Sequence, residues 1–264
     1  VTSIAIVTKP PLLPIIYILR LCNDSSLLCR RRGLAFGAEI NLQVQEHSAS
    51  FVSNDIAELK EKEWDMKEYK CVYQKTPDWS KVPAITLDVA NWRPVTDISV
   101  EVQVAWNEEK IMYHGVAHEP EIRAVHVGQG CDVCEDSCLE FFYMPEGYET
   151  YINFECNPNE ATWIGIGTNM PDRIRLWPQD EKGLFNIRTD RTEDGWELFA
   201  EFPISFTQMF YPGYEYKEGN VLRANCMKCG DLTKAEHYLS WNPFDPEVLS
   251  FHNSEYFGKM TLVK

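Results

Sequence analysis

At 264 residues the chain is long enough for one large β domain or two smaller ones, and with 44% hydrophobic residues, including 8 Trp, 12 Tyr and 13 Phe, it can fill a core and leave rings over. A formal charge of −15 argues against a nucleic-acid backbone or an anionic membrane surface as partner, because both would be repelled. Nine cysteines cannot all pair within the chain, and a protein of this size needs no disulfide staples, so reduced thiols in a cytoplasmic protein are the simpler reading.

In chain order, the first apolar run, Pro10 to Leu19, is short and broken by three prolines. It is too short to span a bilayer, and no small-residue cleavage site follows before Arg30-Arg31-Arg32. Gln43 to Leu59 sustains neither a period of 2 nor one of 3.6. From Met66 the strand-and-turn grammar becomes regular. The expectation is a non-domain N-terminal segment over residues 1–65, disordered or read through from upstream of a natural start at Met66, and a single domain over 66–264.

Within that domain, Val100, Val102, Val104 and Trp106 alternate with Glu101, Gln103 and Ala105, the signature of a half-buried strand. Asn107 to Lys110 reads as a turn and Ile111 to His118 as the returning strand. Leu139, Phe141 and Tyr143 alternate with Cys138, Glu140 and Phe142, and Pro145-Glu146-Gly147 turns the chain into Tyr151 to Cys156. Trp196 to Phe202 alternates again. Only Ile204 to Phe210, after Pro203, reads as helix. Many short strands with close turn signals predict an all-β fold, an antiparallel β-sandwich of jelly-roll or immunoglobulin-like layering with one short helix.

Period-2 geometry selects a polar face. With Ile152 and Phe154 turned into the core, Tyr151, Asn153 and Glu155 point the other way, and the same argument places Glu140, Arg223 and Asn225 outward. Carboxylates and amides grip adjacent sugar hydroxyls, Arg adds a fixed fork of donors, and an aromatic ring stacks on the C–H face. An ordinary solvated sheet face with cross-strand Arg–Glu pairs accounts for the same spacing, and spacing alone favours it.

Two segments tip that balance: the acidic turn Glu135-Asp136-Ser137-Cys138-Leu139-Glu140, and His237-Tyr238-Leu239-Ser240-Trp241-Asn242-Pro243 with the closing Phe257-Gly258. From about Met66 to Lys264 the chain resembles the family 9 carbohydrate-binding modules. It resembles even more their bacterial family 9-like relatives, which also share Ile122-Arg123-Ala124 and Lys228-Cys229-Gly230-Asp231. The resemblance implies a β-sandwich, a saccharide ligand without catalysis and a link to carbohydrate catabolism. It adds Arg123 and His237 to the candidate binding residues Glu140, Asn153, Glu155, Arg223, Asn225 and Trp241. In the family two tryptophans sandwich the terminal sugar. The later one looks like Trp241, whereas Cys134 or its neighbours occupy the place of the earlier one, with Trp106, Trp163 and Trp177 as candidate substitutes. The family's structural calcium leaves that cofactor open, with Asp132, Glu135 and Asp136 as weak candidate ligands, although EF-hand spacing is absent.

Two rival chemistries stay in view. Cys131-x-x-Cys134 and Cys226-x-x-Cys229, with Cys138 nearby, form a CxxC…CxxC pair, but the separation is far beyond a zinc ribbon and Cys226 and Cys229 face opposite sides of a predicted strand. Buried thiols acting as small hydrophobes are the favoured account. Glycoside hydrolysis needs two carboxylates, and Glu140 with Glu155 is the best pair; beside Arg223 both are expected to stay ionised, which disfavours a proton donor.

Overall fold

The computed structural model describes residues 66–168 and 172–264; the expected N-terminal segment, 1–65, lies outside them. The chain lays down β1 (Glu68–Tyr73), then the short β2 (Ala84–Thr86) and β3 (Val89–Ala90). The alternating valines form β4 (Ser99–Trp106), and β5 (Lys110–His118) returns antiparallel beside it. The Asn107 side chain makes that turn, its Oδ1 accepting the amides of Glu109 and Lys110 at 2.9 and 3.0 Å. Next come β6 (Cys138–Pro145), β7 (Tyr151–Cys156), β8 (Thr162–Gly167) and β9 (Ile174–Arg175). Gly147, at φ 88°, supplies the left-handed residue between β6 and β7.

The rest comprises α1 (Glu181–Leu184), β10 (Arg188–Arg191), β11 (Gly195–Pro203), α2 (Ile204–Phe210), β12 (Val221–Gly230), β13 (His237–Ser240) and β14 (Gly258–Val263). Helix α2 occupies the predicted span; α1 is a single turn capped by Asp180, whose carboxylate accepts the Gly183 amide. There are thus two α-helices among the described residues where one was expected.

Pairing runs β10-β11-β5-β4-β1-β14-β12-β6-β7-β8-β9, with β2 on β4 and β13 joining β12 to β3. The fold is all-β, but it is not the purely antiparallel sandwich expected. Strand β1 lies parallel to both β14 and β4 and joins the two halves into one mixed, curled sheet. The direction β1 takes is set by pairing with residues far away in sequence, and no alternation pattern encodes it.

Aromatic packing shows the halves face to face. Phe141 of β6 packs on Tyr113 of β5 at 5.6 Å and on Phe202 of β11 at 5.3 Å, and Phe154 of β7 meets Phe202 edge-on at 5.1 Å. The inward residues are those that alternation selects, and Trp106, Phe141, Tyr143, Ile152, Phe154 and Phe202 are all buried. Among the described residues, no helix is long and apolar enough to cross a membrane.

Candidate functional site

The opposite face of β12-β6-β7-β8 carries the expected polar residues, but it is covered. Glu140 stands directly across from Glu155, Phe142 from Asn153 and from Asn225, and Trp163 from Glu155. Glu140, Asn153, Glu155 and Asn225 are all buried. The cover is the segment from Asn242 to Phe257. His252 stacks on Phe142 with centroids 4.9 Å apart, its Nδ1 lies 2.9 Å from the Tyr151 hydroxyl, and Phe257 meets Tyr151 edge-on at 4.9 Å.

Under one end of this cover lies a cavity of about 610 Å³. Its floor is Glu140, Glu155 and Cys229, with Cys134 beside them; Trp92, Tyr238, Phe251 and His252 form an aromatic wall, and Arg93, Asp231 and Glu236 the polar rim. Trp92 packs on Phe251 at 5.1 Å and Tyr238 at 5.3 Å, and its indole N–H donates to the Asp245 carbonyl at 3.2 Å. It holds φ 55°, a conformation disfavoured for a bulky residue, so the fold maintains this ring position against local backbone preference. Arg93 and Glu236 pair across the rim at 3.3 Å.

Burial raises both floor carboxyls. Glu140 is pushed well above the ordinary range by burial and then by the facing Glu155. Burial moves Glu155 to about 7 against the pull of the Asn153 amide and the Arg173 charge. Asn153 acts as a relay, its Oδ1 accepting from Arg173 Nε at 2.9 Å while its Nδ2 donates to Glu155 Oε1 at 2.8 Å. His252 Nε2 lies 4.0 Å from Glu155 Oε1, but burial, then the Arg173 charge, hold that imidazole down to about 3, so it faces the carboxyl uncharged at neutral pH. The expectation that both carboxyls stay ionised beside Arg223 is therefore corrected: no arginine or lysine pairs with Glu140 among the described residues.

Arg223 and Asn225 work elsewhere. Arg223 Nη2 donates to the carbonyls of Ser254, Glu255 and Phe257, at 2.9, 3.3 and 3.1 Å. Asn225 accepts the Asn242 amide at 3.0 Å and donates to the Asn242 carbonyl at 3.2 Å. Both fasten the cover to the sheet. Trp241, the expected platform, is 5% exposed and packs edge-on against Tyr69 in the core, away from the cavity lining. Period-2 reading continued past β13 could not show that the chain turns inward there.

His237 is buried beside Lys228, whose ammonium lies 2.6 Å from His237 Nε2 and 3.3 Å from Glu119 Oε2. Burial, then the Lys228 charge, lower His237 to about 4, so it accepts from Lys228 as neutral imidazole, outside the Glu140–Glu155 cavity. Arg123 pairs with Asp136, which also accepts the amides of Val125 and His126, each at 2.9 Å, and the Asn157 amide at 2.7 Å. Burial would raise Asp136, but these hydrogen bonds outweigh it and hold the carboxyl below its usual value. Glu135 pairs with His126 and Asp132 with Arg175, so the three acids considered for calcium are turned to three different partners.

Of the candidate tryptophans, Trp106 is buried in the core, while Arg175 lies between Trp163 and Trp177, 5.2 Å from each ring. Trp92 went unselected in the sequence because it sits in an irregular Asn91-Trp92-Arg93-Pro94 stretch that no periodicity frames. The available signal was a large aromatic among turn residues, where a core role is not expected.

Known proteins share this architecture. A crystal structure from Bacteroides uniformis ATCC 8492, whose carbohydrate-binding role is itself a proposal, matches at TM-score 0.65 and 28% identity, covering 74% of this chain and 98% of its own. A family 9 carbohydrate-binding module from Caldicellulosiruptor kristjanssonii in complex with cellotriose matches at TM-score 0.54 and 11% identity, covering 75% and 94%. The same module with glucose covers 74% and 95% at the same score and identity. No curated protein matches. The family model for carbohydrate-binding family 9 matches residues 72–262. The chain belongs to carbohydrate-binding family 9.

Proposed function

We propose that this protein binds a saccharide in the cavity between the Glu140–Glu155 floor and the Trp92 wall, without chemical conversion. The observation that carries this reading is the facing carboxyl pair beneath an aromatic wall in a family 9 fold. A carboxyl that keeps its proton beside one that gives it up can both donate to and accept from adjacent hydroxyls, and the Trp92–Tyr238–Phe251 cluster offers an apolar surface to sugar C–H groups. A volume of about 610 Å³ lies in the range of small-ligand sites and suits one or two pyranose rings. Trp92 thus takes the part that the resemblance assigned to Trp241.

The raised carboxyls also bear on hydrolysis, since a proton donor is available at neutral pH. Side by side on adjacent strands, however, both approach a ligand from the same direction, whereas hydrolysis sets its carboxylates on either side of the scissile bond. That geometry favours binding. The charge of −15 fits an uncharged ligand better than a polyanion, and we extend the proposal to a protein that engages neither nucleic acid nor membrane.

The test is a glycan array followed by calorimetry, including glucose and cellotriose because a family member's structures contain them. Saturable heat with wild type, weakened at least about tenfold, or about 1.4 kcal/mol, in Trp92→Ala, is the expected result. Silence across the array from a folded protein would rule the reading out.

A further inference from the structure

The cavity floor holds a second arrangement of groups, which shares Glu140 with the proposed sugar site and adds two thiols. Cys138 is the first residue of β6 and stands across from Cys229 of β12, on the same face as Glu140. The two thiol sulfurs and a Glu140 carboxylate oxygen all lie within 4.8 Å of one another, and the Cys229 sulfur sits 2.8 Å from Glu140 Oε1. Cys226, three residues before Cys229, faces the other way and stands across from Phe141 in the core. The sequence motif therefore divides. One cysteine of the second CxxC joins Cys138 instead of its own motif partner, and cross-strand register builds the cluster.

We infer that Cys138, Cys229 and Glu140 form a binding site for one thiophilic divalent cation of the zinc class, with its fourth position open to the cavity.

Four observations converge on it. Tetrahedral zinc with Zn–S bonds of about 2.3 Å and Zn–O bonds of about 2.0 Å spaces its donors by roughly 3.5 to 3.8 Å, compatible with a cluster whose donors all fall within 4.8 Å. Two thiolates with one carboxylate select zinc over calcium or magnesium, which require oxygen donors. Glu140 is 3% exposed, no arginine or lysine pairs with it among the described residues, and its Oε1 is already held 2.8 Å from the Cys229 sulfur, so three displaceable-proton donors are gathered out of water. Cys229 and Glu140 line the cavity, which gives an ion a path in, while Cys138 lies fully buried behind them. Cys134 flanks the cluster through its carbonyl, 3.7 Å from the Cys229 sulfur.

Binding is balanced by proton release: the two thiol protons and any proton on Glu140 pass to solvent as the metal–ligand bonds form, with no change of oxidation state. Apparent affinity therefore rises with pH. The site shares Glu140 with the sugar reading, but neither Trp92 nor Tyr238 contributes a donor, so Trp92→Ala should leave metal binding unchanged.

Cobalt(II) titration of the metal-stripped, reduced full chain, alongside zinc competition, tests this directly. The expected result is one cobalt per chain with sulfur-to-metal charge-transfer absorption, bleached by zinc. Cys138→Ser and Cys229→Ser should each weaken binding by at least about 100-fold, since outer-shell partners alone are worth about 10–100-fold. Cys71→Ser is the control; that thiol faces the Val104 carbonyl at 3.4 Å in the core. If either Ser variant fails to fold, the wild-type stoichiometry and charge-transfer band still decide the matter, with Glu140→Gln as an isosteric probe. A folded wild type that takes up no cobalt overturns the inference, as does a band that survives in folded Cys138→Ser and Cys229→Ser. Failure of saccharide binding with an intact cobalt band would sink only the sugar reading, and the reverse pattern only the metal site.

Discussion

Glu155 titrates in the folded protein at about 7, against an ordinary value of 4.5, because it is buried on the sheet face. Below pH 4.5 folded and unfolded chains both hold the proton and nothing is lost. Between pH 4.5 and about 7 the unfolded chain releases it first, so stability falls as pH rises, by about 3 kcal/mol for a displacement of this size. His252 acts in the opposite sense. Held at about 3 when folded against 6.5 when free, it removes stability as pH falls below 6.5. Glu155→Gln deletes the first contribution and leaves the second. The melting temperature of the variant, relative to wild type, should therefore climb between pH 4.5 and 7 and then level off; a difference that is flat with pH contradicts the buried-carboxyl account. Trp241 gives a contrasting residue-scale case. Trp241→Ala should cost about 3–5 kcal/mol of stability as a core deletion, measured by denaturant unfolding, whereas Trp92→Ala should cost less. Glu140, Asn153 and Glu155 were legible because period-2 geometry fixes which face a strand residue takes. Their partners were not, since Arg173 and Trp92 come from irregular segments.

At the scale of elements, the strand alternations around Val102, Phe141, Phe154 and Leu198 identify core faces that the structure contains, and α2 spans the residues read as helical. The segment from Asn242 to Phe257 was not legible. It has little regular structure, and its role comes from Arg223 and Asn225 reaching up from β12 to its carbonyls. That explains why the polar stripe is the floor under a cover and not an open sheet face. Arg223→Ala strips three carbonyls of their donor. It should lower stability by about 1–3 kcal/mol and speed amide hydrogen exchange in residues 250–257 far more than in β6 or β7. Unchanged exchange in that segment would show that something other than Arg223 holds the cover down.

For the molecule as a whole, composition and turn spacing were enough for an all-β reading, but not for the parallel placement of β1, which depends on contacts between residues far apart in sequence. We propose that residues 66–264 are an autonomous domain. The isolated fragment should then unfold in one cooperative transition at the melting temperature of that transition in the full chain; a fragment that does not fold would contradict it. The fold places one face of one half-sheet under an aromatic cover, and that covered face is the saccharide site we propose. The most direct check is to follow the indole N–H resonances by nitrogen-15 NMR while titrating a saccharide identified on the array. Binding beneath the cover should give a saturable shift of Trp92 and little movement of Trp241. A Trp241 shift with Trp92 unmoved, or binding that perturbs neither indole, would contradict it.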